Sequence, residues 1–232
     1  MIAGIVGVVL LAACDSPTVP PRLIAYQFAY EGFVERVIYR WPDGQTIGVH
    51  VAPTGETERD ALLEAAFRHT AQAWNDAVLY GEYRLEAAPL QRADVILAWA
   101  NHALPIDTSE CPPSPDGFAW TTFCANSTGT AIAAYPLTVG QHVEDGVHMI
   151  VQVLQTELEP DPDRVAALVA HEFGHVLGIG THPCRLSDSG CTRRQGAHES
   201  LMYLGIPERS TPSAADRSTI ELLYHTRPDL TP

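Results

Sequence analysis

The chain has 232 residues, enough for one domain with a substantial core plus extensions. Hydrophobic residues make up 46% and charged residues 18%, which excludes a chain without a packed core. A net charge of −14, with every one of the 14 basic residues an arginine, excludes recognition of nucleic acid or anionic lipid through a basic patch.

Residues 1–13, MIAGIVGVVLLAA, form an apolar run too short for a comfortable membrane-spanning helix and are expected to be a signal peptide. The first arginine is Arg22, which follows the run. Leu11-Ala12-Ala13-Cys14 resembles a bacterial lipobox, in which cleavage leaves Cys14 as a lipidated N-terminus. The resemblance implies an exported lipoprotein of the bacterial cell envelope, periplasmic or surface-facing, held at the membrane by its lipid anchor only. Residues 14–40 are then a lipid-anchored tether and N-terminal segment, Pro-rich at its start (SPTVPPR) and offering an edge strand toward its end.

The main domain is expected over residues 41–227. Trp41-Pro42-Asp43-Gly44 is a turn signal, and residues 46–51 read as a first strand in which His50 is an ordinary strand residue. Residues 57–79 carry the clearest helical periodicity, with Leu63, Ala66, Phe67, Ala71, Trp74 and Val78 on one stripe. Thr57 is the expected cap, with Asp60 three residues on, and His69 is structural. Residues 83–87 and 94–100 follow as strands, the second apolar enough to be central.

Residues 101–128 carry Pro105, Pro112, Pro113 and Pro115 and read as a surface loop. Setting Cys14 aside leaves four cysteines, which allow three connectivities. The local pairs Cys111–Cys124 and Cys184–Cys191 are expected, because each closes a short loop containing Pro or Gly. Residues 147–154 form another apolar strand, 183–199 a polar loop with Arg185, Arg193 and Arg194, and 213–224 a last helix. His142 and His148 flank Glu144 and Asp145, a polar turn more simply read as preceding a strand than as a second metal site.

The stretch that carries chemistry is 163–182, DRVAALVAHEFGHVLGIGTH. Val165, Leu168 and Val169 recur at helical spacing, and Asp161, Pro162 and Asp163 make a helix start. His171 and His175, one turn apart on one helix face, can grip one metal ion. Glu172 stands about 100° round, beside the ligand face, where it can serve as a base. Gly178 can end the helix with positive φ and turn the chain back, and His182 follows as the expected third ligand.

The run H-E-F-G-H-V-L-G with a following His resembles the metzincin zinc-protease signature, and its matrixin branch in particular. The family places its third His where Thr181 stands, one residue before His182, so His198 and Asp188 stay open as alternatives. Ser200-Leu201-Met202-Tyr203 resembles the family's Met-turn, with Met202 beneath the metal. Residues 129–137 resemble the strand that borders the substrate groove in matrixins.

The resemblance implies an α+β zincin fold: a twisted mixed sheet with a long N-terminal helix, an active-site helix and a C-terminal helix. It implies Zn²⁺ as cofactor, a peptide or protein substrate, and hydrolysis by a zinc-activated water with Glu172 as general base. A monomer is expected. Two other readings compete: an inactive binding lipoprotein on the same fold, and a different metallopeptidase clan with Glu199 or Glu221 as third ligand.

Overall fold

Two sequence patterns build the molecule: short apolar runs with both faces covered, and helices with one apolar stripe. The computed structural model describes residues 39–100, 102–106, 119–123, 133–134, 149–154, 161–180, 182, 200–203 and 205–225. Its strands are β1 (Tyr39–Arg40), β2 (Gln45–Val51), β3 (Tyr83–Ala87), β4 (Val95–Trp99), β5 (Ala119–Phe123), β6 (Ala133–Ala134) and β7 (Met149–Val153). Its helices are α1 (Thr57–Asn75), α2 (Pro162–Val176) and α3 (Ala214–His225). The fold is mixed α+β.

Five strands form one sheet in the order β3-β2-β4-β7-β5. The first four run parallel, and β5 pairs antiparallel with β7 through the register Thr121 to Val151. In β4, Val95, Leu97 and Trp99 face the core shared with α1 and α2. Ile96 and Ala98 face the other way, where Ala52, Leu90, Leu104 and Ile106 cover them. Burial on both faces is why β4 reads as an unbroken apolar run and β7 as one interrupted only by Gln152, instead of alternating.

Helix α1 ends at Asn75, short of residue 79. Its cap also differs from expectation: the capping residue is Glu56, with no side-chain hydrogen bond to the helix end. Asp60 is occupied elsewhere, accepting from Thr54 N and Thr54 Oγ1, both at 2.7 Å, and from Gly55 N at 3.2 Å. Those bonds brace the turn ahead of the helix, and the first of them chiefly holds the Asp60 carboxyl below the usual range.

Two further expectations change. The 101–128 segment contains β5, an edge strand of the sheet beside α2. Within 129–137 the described strand is only Ala133–Ala134, and it pairs with β1, not with the main sheet. The proline-rich composition of 101–128 hid β5, because its pairing depends on which edge of β7 remains available. Cys14, the four candidate disulfide cysteines and residues 142–148 lie outside the described residues. Among those described, no helix is long and apolar enough to cross a membrane.

Helix α2 crosses α1 under the sheet. Phe67 and Phe173 meet with ring centroids 5.7 Å apart, and Trp74 Nε1 donates to Ala170 O at 2.8 Å. From the other end, Trp41 Nε1 donates to Val176 O at 2.9 Å and Tyr224 Oη to Leu177 O at 3.2 Å. Two residues far apart in sequence thereby cap the last carbonyls of α2. Trp41→Phe would strand the Val176 carbonyl and open a small cavity, so the urea midpoint should fall by an amount equivalent to about 2–4 kcal/mol with an unchanged slope.

Candidate metal centre

Helix α2 begins as its sequence predicts, with Asp161 as the capping residue accepting from Asp163 N at 3.0 Å and Pro162 in the first turn. It ends at Gly178, whose φ is +108°. Ile179 N donates to Gly174 O and Gly178 N to His175 O, both at 3.0 Å. That is a Schellman turn, and only glycine adopts its reversing residue without strain. The turn swings the Ile179 carbonyl back over the helix, where His175 Nδ1 donates to it at 2.6 Å.

His171 is buried and has a matching anchor: its Nδ1 lies 2.8 Å from Leu201 O. A backbone carbonyl can only accept, so both imidazoles carry their proton on Nδ1 and present the Nε2 lone pair. Past the turn, His182 returns so that its Nε2 is 3.0 Å from His171 Nε2. The three rings sit at centroid separations of 5.0–5.1 Å. One nitrogen from each of His171, His175 and His182 lies within 4.8 Å of the others. Ligands about 2.1 Å from a tetrahedral ion are about 3.4 Å apart, a spacing within this range, so the donor set fits a single metal ion.

Burial lowers His171 and His175 to a pKa of about 3, with the neighbouring imidazole adding to the effect. Neither ring competes for a proton at neutral pH, so both lone pairs are free for a cation. Glu172 is also buried, and burial pushes its carboxyl up to about 7 against the opposing hydrogen bond from Thr121. A cation held by the three imidazoles would oppose that rise. Among the described residues no other group of His, Cys, Asp or Glu stands close enough to hold a metal, and Glu221 is not part of this one. His198, Asp188 and Glu199 lie outside the described residues.

Met202 lies directly beneath the helix. A Cβ added to Gly174 would collide with Met202 Sδ and come within 2.9 Å of its Cε and 3.1 Å of Trp74 Cζ2. Glycine inside H-E-F-G-H is therefore a spacing requirement. The Met202 segment is held in turn by Asp216, which is fully buried. Its carboxylate accepts from Ser200 Oγ at 2.9 Å, Leu201 N at 3.0 Å and Ser213 N at 2.6 Å. A continuous path thus runs from α3 through the Leu201 peptide to His171.

Sequence reasoning missed Asp216 and Thr121. Asp216 did leave a signal, since it occupies the first position of the i, i+3, i+4, i+7 stripe completed by Thr219, Ile220 and Leu223, and is buried with them. Thr121 left none, because its strand lies within a segment that reads as loop. His69 and His50 stand apart from the centre; His69 Nε2 contacts Ser210 O at 3.1 Å.

No protein-family model matches the sequence, and no curated protein sequence matches it. Two solved structures of myroilysin are similar to the chain. One has 12% identity over 82% of this chain and 99% of its own, with a TM-score of 0.45. The other has 14% identity over 90% and 97%, with a TM-score of 0.47.

Two outcomes follow from the geometry. His182→Ala should weaken binding of one equivalent of metal by at least about 100-fold in a competition with a chromophoric chelator, because it removes one of three protein ligands. Gly174→Ala should cost about 1–3 kcal/mol in thermal or urea unfolding and loosen the metal as well, since Met202 must be displaced to admit the methyl group.

Proposed function

We propose that this chain is a zinc-dependent endopeptidase of the metzincin type. The observation that carries the reading is the convergence of three neutral imidazoles beside a buried glutamate on the same helix. Two of the rings are oriented by backbone carbonyls, which leaves their Nε2 atoms to the metal. His171, His175 and His182 would hold the ion, with neutral nitrogen donors of the kind zinc accepts and a fourth position open. Zinc bound there supplies Lewis-acid polarisation of a scissile carbonyl and of the attacking water.

The chain's own groups do the rest. Glu172 takes the proton of the attacking water onto its carboxylate and returns it to the departing amine nitrogen. The Met202 support, the Gly178 turn and the closing helix α3 agree with the metzincin resemblance of the H-E-F-G-H run. Export and anchoring through Cys14 belong to the same proposal and rest on the lipobox-like sequence.

The rival reading, an inactive scaffold, drew its force from the displaced third histidine. Inclusion of His182 in the cluster weakens that ground. The deciding variant is Glu172→Gln. It should keep its zinc, measured by elemental analysis, and lose roughly 10²–10⁴-fold in kcat on unfolded protein or fluorogenic peptide substrates. Cleavage at the unaltered rate would defeat the mechanism.

A further inference from the structure

The row of β5 side chains facing α2 is apolar by position. Thr121 pairs with Val151, and both Val151 and Val153 belong to the core between sheet and helices. A valine would fit this place in shape and in strand preference. The residue is a threonine, and its half-buried hydroxyl takes a polar partner. It finds Glu172: Thr121 Oγ1 is 2.8 Å from Glu172 Oε2 and 3.2 Å from the Glu172 main-chain oxygen. A hydroxyl carries one proton and donates to one acceptor at a time. The shorter contact runs to the carboxylate, and donation to a charged oxygen is the stronger bond.

We propose that Thr121 is the positioning residue for proton transfer: its hydroxyl occupies Glu172 Oε2, fixes the plane of the carboxylate, and leaves Oε1 as the atom that receives and returns the proton. This inference rests on the peptidase reading above and adds a residue that the H-E-F-G-H run does not contain. A base free to rotate would spend part of its time with neither oxygen facing the water, and a proton transfer that needs one orientation slows accordingly.

The neighbouring residue supplies an internal control. Thr122 is buried on the same strand, and its hydroxyl has no hydrogen-bond partner among the described residues. Thr122→Val therefore perturbs the strand without touching Glu172. The test uses the full, zinc-loaded chain and the variants Thr121→Val, Thr121→Ser and Thr122→Val. Thr121→Val should lower kcat roughly 10- to 100-fold with KM and zinc content unchanged. Thr121→Ser should restore kcat to within about threefold, and Thr122→Val should stay at the wild-type value. A second readout needs no turnover: in metal-free protein with ¹³C-labelled glutamate, the Glu172 carboxyl resonance, assigned by its loss in Glu172→Gln, should move in Thr121→Val and hold in Thr121→Ser.

A wild-type kcat in Thr121→Val, an unmoved carboxyl resonance, or a serine variant as slow as the valine one would overturn the assignment and leave Thr121 as packing. A wild-type chain that binds zinc and cleaves nothing would instead defeat the peptidase reading, while the carboxyl resonance would still report whether Thr121 holds Glu172.

Discussion

The end of α2 is the constraint on which the site depends. A helix leaves its last carbonyls without partners, and here those carbonyls lie in the interior, where each unmet acceptor costs about 1–3 kcal/mol. Every one is answered. Leu177 N serves Phe173 O, Ile179 N serves Gly174 O, and Gly178 N serves His175 O. Trp41 and Tyr224 serve Val176 and Leu177. The reversal that makes this possible also presents the Ile179 carbonyl to His175 and sends the chain toward His182. The same turn that closes the helix brings His171, His175 and His182 together.

The ligands are oriented by main-chain acceptors instead of carboxylates. That choice keeps the centre's fixed charge low, so a cation would face neutral nitrogens with the Glu172 carboxyl nearby. It also makes the site depend on where two peptide units lie. The Ile179 peptide is set by the glycine turn within the same element. The Leu201 peptide is set at a distance, through Ser200 and the buried Asp216 carboxylate on α3. Met202 fills the space beneath, against a glycine that has no side chain to resist it. Support from below and orientation from the side arrive from segments more than twenty residues downstream of the helix.

Strand β5 completes the other flank. Running against its neighbour at the sheet edge, it brings Thr121 to Glu172 and Trp120 to Gln152, where Trp120 Nε1 donates at 3.1 Å. The two contacts lie on opposite faces of the sheet, as alternation along a strand requires. One anchors the strand to its partner, and the other reaches the metal helix.

Much of this could be read from residue order, because the relevant forces are local. Helix spacing puts His171 and His175 on one face, Asp161-Pro162 starts their helix, and Gly178 stops it. The apolar runs at β4 and β7 announce strands covered on both sides, and the stripe in α1 announces packing against them. Position along the chain could not say which sheet edge β5 would take, since pairing depends on the edge that remains exposed once the parallel strands have assembled. Nor could it say that Asp60 would brace a turn, that Trp41 and Thr121 would reach α2, or that Asp216 would hold the Leu201 segment. The bonds from Trp41 and Thr121 to α2 join residues 135 and 51 positions apart in the chain. The primary structure by itself determined the helix that carries His171, Glu172 and His175 and its start and stop. Only the tertiary structure decided what holds each ligand still, because a carbonyl or hydroxyl becomes a partner only when packing brings it within about 3 Å.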